Sequence, residues 1–134
     1  MITSKISYSG QLRTSAIHVR SSQQIITDAP VDNQGKGEAF SPTDLVSSAL
    51  CSCMMTIMGQ VAEREGINME GITADVTKVM SATPRRIAEI MVVFDLSQLS
   101  ITDRQRKMLE NAARTCPVAL SLSPDVKQTI SYTY

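Results

Sequence analysis

The chain has 134 residues, 43% of them hydrophobic and 19% charged, which is typical of a globular protein, and we predict one domain spanning 1–134. Basic and acidic side chains number 13 each, so no basic surplus is available to neutralise phosphates, which argues against nucleic-acid binding. The longest apolar run, 49–58, is too short to span a bilayer, and the first residues lack the apolar core of a signal peptide. We therefore expect a cytoplasmic protein with no membrane partner.

The first forty residues predict short strands followed by a loop. Apolar and β-branched residues occur in brief runs near Ile6, in 12–18 and in 25–27, separated by Ser-Gly and Ser-Ser-Gln turns. The segment 29–39 contains proline and two glycines but few apolar residues, which indicates a loop.

A long helix is predicted from Pro42 to about Glu65. Ser41 suits the N-cap, Pro42 suits the first helical position, and Gly66 supplies the stop. The middle of this segment is apolar on nearly every side, which indicates a helix inside a protein or in a subunit interface. The predicted apolar stripe comprises Leu45, Val46, Ala49, Leu50, Cys53, Ile57, Met58 and Val61.

The rest of the chain predicts two strands, a second helix and a closing strand. The strands are predicted over 67–80 and 86–96, and the helix over 103–115. Pro117 should end that helix, because the residue before a proline disfavours the α region, and a short helix can restart there. The segment 126–134 alternates like a strand. This order predicts an α+β fold with a mainly antiparallel sheet.

Three cysteines, Cys51, Cys53 and Cys116, are an odd number, which argues against a disulfide framework. Cys51 and Cys53 are two helical positions apart, so they point to opposite sides and cannot bond to each other. Neither a C-x-x-C motif nor a metal-ligand cluster is present, and His18 is the only histidine, so no metal is expected.

Cys53 and Cys116 each have a structural and a chemical interpretation. Cys53 is either a packing residue of the helix or a reactive thiol. Cys116 either fills space at a helix break or caps the helix that starts at Pro117, where backbone N–H groups would lower its pKa. Two such cysteines suggest a peroxidatic and a resolving thiol, which pass through a sulfenic acid to a disulfide. An arginine suits the required cationic partner better than His18, because it stays charged and offers a planar fork of donors.

Two segments resemble the signatures of the OsmC/Ohr family, the osmotically inducible and organic hydroperoxide resistance proteins. The stretch FSPTDLVSSALCSC, 40–53, is similar to the family's Asn/Ser-Pro-x-x-Leu motif and its helix cysteine, and counting from Pro42 matches the peroxidatic cysteine to Cys53. The stretch AARTCP, 112–117, is similar to the second signature, a helix ending in Cys-Pro.

The resemblance implies an intertwined homodimer with the long cysteine-bearing helices at its centre and the active sites at the subunit interface. It implies reduction of organic hydroperoxides through Cys53 and Cys116, with an external dithiol as reductant, in some members a lipoyl group. It implies no metal and no organic cofactor.

The resemblance also places an arginine from the N-terminal strands, and a glutamate just after the signature proline, beside the reactive sulfur. Arg13 is the best match for the arginine, and Arg20 is the alternative. Thr43 occupies the glutamate position, so Asp44 or Glu38 would have to replace that carboxylate. Val-Ala follows Cys-Pro, where the Ohr branch has Tyr-Ser, which favours a generic OsmC-like branch.

Two functions follow from these observations. The first is a thiol-dependent peroxidase, and the alternative is a non-catalytic OsmC-like dimer that binds a small hydrophobic ligand. A regulator of disulfides in other proteins is less favoured, because the chain has no C-x-x-C motif.

Overall fold

The structure, a computed structural model, describes all residues 1–134 and divides into two compact units, Met1–Val46 and Ser47–Tyr134. The elements in chain order are the strands β1 (Ser4–Gly10), β2 (Arg13–His18) and β3 (Gln24–Asp28), a short 3-10 helix (Val31–Asn33), the helix α1 (Pro42–Glu65), the strands β4 (Thr73–Ala82) and β5 (Arg85–Asp95), the helices α2 (Asp103–Arg114) and α3 (Pro117–Ser121), and the strand β6 (Lys127–Thr133).

The first unit is built on an antiparallel sheet of order β1-β2-β3. The strand registers pair Ile6 with Ala16 and Ala16 with Ile25, so these three side chains share one face. Ile17 and Ile26 lie on the other face, and four of these five residues, all but Ala16, are exposed. Within a single chain this unit buries no hydrophobic residue. Its buried residues are Thr27, Asp28 and Ser41.

Helix α1 begins and ends where the sequence predicts. The Ser41 hydroxyl accepts a hydrogen bond from the Asp44 N–H at 3.0 Å, and the Asp44 carboxylate accepts one from the Ser41 N–H at 3.0 Å. This reciprocal pair satisfies two backbone donors at the start of the helix. Gly66, with φ of +69°, ends it in the left-handed conformation that glycine adopts without a Cβ penalty.

The buried face of α1 differs from the predicted stripe. Cys51 and Met54 are buried, whereas Cys53 and Ile57 are half-buried and Val46 is exposed. Because the helix is apolar around most of its circumference, its sequence alone does not determine which face packs inward. By length and composition α1 could also cross a membrane, a test that the core helices of soluble proteins pass as well.

The second unit has a mixed sheet of order β4-β5-β6 and a closed hydrophobic core. Strand β4 is antiparallel to β5, and β6 is parallel to it. Ile90, Val92 and Phe94 alternate inward from β5 and are fully buried. They pack in one cluster with residues of α1 and α2, among them Leu50, Met54, Met58, Leu109 and Ala113.

The predicted α+β fold is confirmed, with the antiparallel pairs in the majority and the strands in two separate sheets. The predicted start of β4 is wrong: the strand begins at Thr73 rather than near 67. The segment before it turns, with Gly71 at φ of +90°, and this breaks the alternation that the sequence suggested. The second helix is confirmed, and so is the short helix that restarts at Pro117.

Candidate active site

Cys116 lies at the junction of α2 and α3, where it caps the shorter helix. Its φ and ψ of −64° and 134° are non-helical, and its sulfur accepts a hydrogen bond from the Ala119 N–H at 3.2 Å. Pro117 occupies the first position of α3, where a missing N–H costs nothing. The local sequence Thr-Cys-Pro therefore produces the N-cap geometry that the sequence predicts.

The capping N–H groups act on Cys116 as the sequence predicts, but the net shift of its pKa is upward. The N–H groups of Ala119 and Val118 lower its pKa, but burial of the thiol raises the pKa by more, and the neighbouring Cys53 raises it further. The residue is fully buried, so desolvation of the thiolate outweighs the capping N–H groups. Cys116 is therefore held as a neutral thiol near neutral pH.

The two cysteines that sequence reasoning singled out are brought together. Cys53 packs against the core cluster that contains Cys116, and its side chain is close enough to raise the pKa of the Cys116 thiol. All three cysteines are free thiols. A half-buried sulfur on α1 thus lies beside a fully buried one at the α2–α3 junction.

Cys51 has a different environment from Cys53. It is 7% exposed, belongs to the core cluster, and has a pKa raised by burial. Burial in apolar surroundings keeps a thiol protonated and unreactive. The two-residue spacing on α1 therefore separates a packing cysteine from a more accessible one.

An open groove is lined by residues of α1 and α2 and by Thr115. It has a volume of about 390 Å³. Ile57, one turn after Cys53, lies on one wall, and Thr115, which precedes Cys116, lies on the other. The complete lining comprises Ile57, Gln60, Val61, Arg64, Met108, Asn111, Ala112 and Thr115. Its lining is more apolar than polar, and Arg64 is among its polar residues.

In the first unit, Arg13 forms a two-point ion pair with Asp28. Arg13 Nε donates to Asp28 Oδ1 at 2.7 Å, and Nη2 donates to Oδ2 at 2.8 Å. The Asp28 side chain is fully buried, whereas the Arg13 side chain is 27% exposed. Their hydrogen bonds raise the pKa of Arg13 and, against the effect of burial, lower the pKa of Asp28. Both groups are therefore held in their charged forms.

The remaining candidate site residues do not form an ion pair as close as that of Arg13 and Asp28. Glu38 Oε1 lies 3.8 Å from Arg13 Nη2, and its side chain is 66% exposed. The Asp44 carboxylate is hydrogen-bonded to the Ser41 N–H at the start of α1. Arg20 is exposed in the turn after β2. His18 Nδ1 shares a hydrogen bond with the Ser21 hydroxyl at 2.7 Å.

The sequence of this chain matches the OsmC-like protein family over residues 35–131. The chain belongs to that family. A crystal structure from Psychrobacter arcticus 273-4, provisionally described as an osmotic stress induced and detoxification response protein, is 53% identical with a TM-score of 0.95, and the match covers 99% of this chain and 96% of that one.

More distant OsmC-like structures share the fold alone. An organic hydroperoxide resistance protein OsmC from Legionella pneumophila is 16% identical with a TM-score of 0.76, covering 100% of this chain and 98% of that one. The organic hydroperoxide resistance protein OhrB of Bacillus subtilis is 18% identical with a TM-score of 0.64, covering 98% of each chain. Comparison with curated protein sequences gives no match.

Sequence reasoning missed Asp28, which is the nearest carboxylate to Arg13 in this OsmC-like chain. The signal was present in the hairpin register, because β2 and β3 pair Ile17 with Gln24 and consequently Arg13 with Asp28. Residues that lie directly opposite in an antiparallel pair place their side chains on the same face. Counting back along both strands from the Ser-Ser-Gln turn would have found the pair.

Proposed function

We propose that this protein is a thiol-dependent peroxidase that reduces organic hydroperoxides in a cytoplasmic homodimer. Cys53 is the attacking thiol, Cys116 is the resolving thiol, and Arg13 is the cationic group. The observation that carries the proposal is the neighbouring pair of free thiols, Cys53 and Cys116, in a chain that belongs to the OsmC-like family.

The chemistry proceeds in three balanced steps. The Cys53 thiolate attacks the terminal peroxide oxygen, an S–O bond forms as the O–O bond breaks, and the alkoxide takes up a proton and leaves as an alcohol. The Cys53 sulfenic acid then condenses with the Cys116 thiol, which releases water and forms a disulfide. An external dithiol, for which a lipoyl-type group is suited, reduces the disulfide and is itself oxidised.

The different environments of the two sulfurs support this division of roles. Cys53 is half-buried, so a peroxide can reach it, whereas Cys116 is fully buried and its pKa is raised. A buried neutral thiol is protected from direct oxidation and is available once a neighbouring sulfenic acid has formed.

The groove along α1 and α2 supports an organic rather than an inorganic peroxide. Its apolar residues include Ile57, Val61 and Met108, and Ile57 lies one helical turn after Cys53 on α1. An alkyl or aryl group that occupies this groove would lose contact with water and add binding energy close to the reacting sulfur. Hydrogen peroxide has no group that could use this surface.

The first unit supports the homodimer. Both faces of its sheet expose isoleucines, among them Ile6 and Ile25 on one face and Ile17 and Ile26 on the other. Exposed apolar surface of this extent is typical of a protein interface. Light scattering at micromolar concentration tests this part of the proposal, and a monomeric mass would contradict it.

Intact-mass analysis after one equivalent of cumene hydroperoxide tests the chemistry. We expect the wild-type chain to lose the mass of about two hydrogens, as a disulfide forms. Cys53→Ser should remain unchanged, and Cys116→Ser should gain oxygen at Cys53 and proceed to overoxidised forms. Cys51→Ser is the matched control and should form the disulfide at the wild-type rate. An unchanged wild-type mass, or full peroxidase activity in Cys53→Ser, would contradict the proposal.

A second candidate function is supported by a cavity within the first unit. The cavity has a volume of about 600 Å³ and a mostly apolar lining that includes Ile6, Ala16, Ile25, Pro42 and Leu45. A cavity of this size and character suits a small hydrophobic ligand. A fluorescent apolar probe that binds the wild-type chain, together with an unchanged mass after hydroperoxide treatment, would favour this binding function over the peroxidase.

A further inference from the structure

A polar pocket in the second unit lies between the C-terminal end of α2 and strand β6. It has a volume of about 290 Å³, and its lining exposes more polar than apolar surface. Neither Cys53 nor Cys116 lines it, so the pocket is separate from the pair of sulfurs in the proposed peroxidase site. Its lining comprises Met54, Ala113, Arg114, Gln128, Ile130 and Tyr132, all of which belong to the second unit.

The regular spacing of β6 and α2 brings these residues together. Gln128, Ile130 and Tyr132 alternate along β6 and therefore share one face, on which Ile130 and Tyr132 pack against the core cluster. Ala113 and Arg114 lie in the last turn of α2, where Ala113 is fully buried and Arg114 is exposed. The pocket thus has an apolar base of buried side chains and a polar rim.

Two hydrogen-bonding groups of this pocket have no hydrogen-bond partner in the chain. The Tyr132 hydroxyl makes no hydrogen bond, whereas the neighbouring Tyr134 hydroxyl donates to Glu110 Oε2 at 2.6 Å. The Arg114 guanidinium forms no hydrogen bond or ion pair, whereas each of the other two arginines of α2 forms an ion pair. Both groups therefore remain available to an acceptor from outside the chain.

The charges around the pocket suit an acceptor with one negative charge. A guanidinium stays protonated, and burial together with the charge of Glu110 raises the pKa of Tyr132 to about 12, so its hydroxyl remains a donor at neutral pH. Arg114 lies close enough to Tyr132 to act against this shift, which places the two donors near each other. Glu110 is hydrogen-bonded to Tyr134, and its negative charge disfavours a dianion nearby.

We propose that this pocket binds a small carboxylate with an apolar body. The carboxylate accepts hydrogen bonds from the Arg114 guanidinium, whose planar fork of donors matches its two oxygens, and from the Tyr132 hydroxyl. The apolar body lies against Ile130 and the buried side chains at the base, where it loses contact with water. This binding does not depend on the proposed peroxidase function.

Titration calorimetry of the full-length chain with benzoate tests the proposal. We expect a dissociation constant of about 1 mM or below, and binding at least roughly ten-fold weaker for benzamide, a neutral molecule of similar shape. Arg114→Gln should weaken benzoate binding roughly ten-fold, because it removes the charged donor. Arg104→Gln is the matched control, since it makes the same change at an exposed position of α2 outside the pocket, and it should bind like the wild type. No binding of benzoate, equal binding of benzamide, or equal weakening in the two variants would overturn the proposal.

A second variant and a second measurement locate the bound carboxylate. Tyr132→Phe removes only the hydroxyl and keeps the ring that stacks on Phe94 at 5.5 Å, and it should weaken benzoate binding roughly five-fold. In NMR spectra of the wild-type chain, benzoate should shift the backbone amide signals of Arg114, Gln128 and Tyr132. Shifts confined to β1–β3 would assign the binding to the cavity of the first unit and overturn the proposal, as would wild-type affinity in Tyr132→Phe.

Discussion

The two units of the chain differ in what they bury. The second unit encloses a core whose largest members, such as Phe94, Leu50 and Met54, are at most 2% exposed. The first unit buries only polar residues, and its isoleucines are exposed on both faces of the sheet. A sheet with no covered apolar face gains little from the hydrophobic effect within one chain. The second unit can therefore be stabilised by its own core, whereas the first has no apolar core of its own.

The same contrast appears in one pair of polar side chains from each unit. The cysteine pair lies in the unit with the hydrophobic core, and burial there keeps the thiol of Cys116 neutral. The Arg13–Asp28 pair lies in the unit without such a core, and each member keeps the other charged.

The largest expected effect is in the core of the second unit. Phe94→Ala should lower the free energy of unfolding by about 3–5 kcal/mol, because it removes a fully buried aromatic ring and leaves a cavity. Denaturant unfolding measures this loss, and Ile17→Ala, at an exposed position of the first unit, is the matched truncation. Equal losses of unfolding free energy in Phe94→Ala and Ile17→Ala would contradict the difference in burial between the two units.

A charge on the exposed sheet face should weaken the dimer. Ile25→Asp should raise the dissociation constant at least roughly ten-fold, or about 1.4 kcal/mol, because a carboxylate would be buried at the interface without a partner. Light scattering over a dilution series measures the shift. Leu120→Asp, at a 74% exposed position of the second unit, is the control and should leave the dimer intact. A weaker dimer in Leu120→Asp and an unchanged dimer in Ile25→Asp would place the interface away from this sheet face.

Much of the fold could be predicted because its signals are local. Ser41, Pro42 and Gly66 give the bounds of α1, and Pro117 gives the break between α2 and α3. The inward face of α1 could not be predicted, since a helix that is apolar all around carries no directional signal and packing decides. The net direction of the Cys116 pKa shift could not be predicted either, because the burial of this thiol depends on residues far along the chain. The ion pair of Asp28 with Arg13 was missed because it depends on a strand register and not on a motif.

A smaller effect is expected at the helix cap of the second unit. The Thr102 hydroxyl accepts a hydrogen bond from the Gln105 N–H at 3.1 Å, and the Gln105 side chain accepts one from the Thr102 N–H at 3.0 Å. Thr102→Ala should therefore cost about 1 kcal/mol of stability, measured by denaturant unfolding. Thr73→Ala, at an exposed position in β4, should change stability by less than about 0.5 kcal/mol. An equal change in both variants would show that the cap contributes nothing.

The smallest expected effect is on the pH dependence of stability, which we compare for Asp28 in the first unit and Tyr132 in the second. The lowered pKa of Asp28 stabilises the folded chain fully above the unfolded value, about 3.9, and this contribution is lost as the pH falls below it. Burial raises the pKa of Tyr132 to about 12, so its contribution is complete below about pH 10 and is lost as the pH rises through 12.

Urea unfolding across the pH range should therefore show the contribution of Asp28 in acid and that of Tyr132 in alkali, with Asp95 of the second unit adding its own contribution in acid. Asp28→Asn should flatten only the acid limb, because an amide does not titrate, and Tyr132→Phe should flatten only the alkaline limb. Each variant serves as the control for the other. A variant that flattened both limbs would mean that the ionisations of the two units are coupled. The acid-dependent stability could then not be assigned to the Arg13–Asp28 ion pair alone.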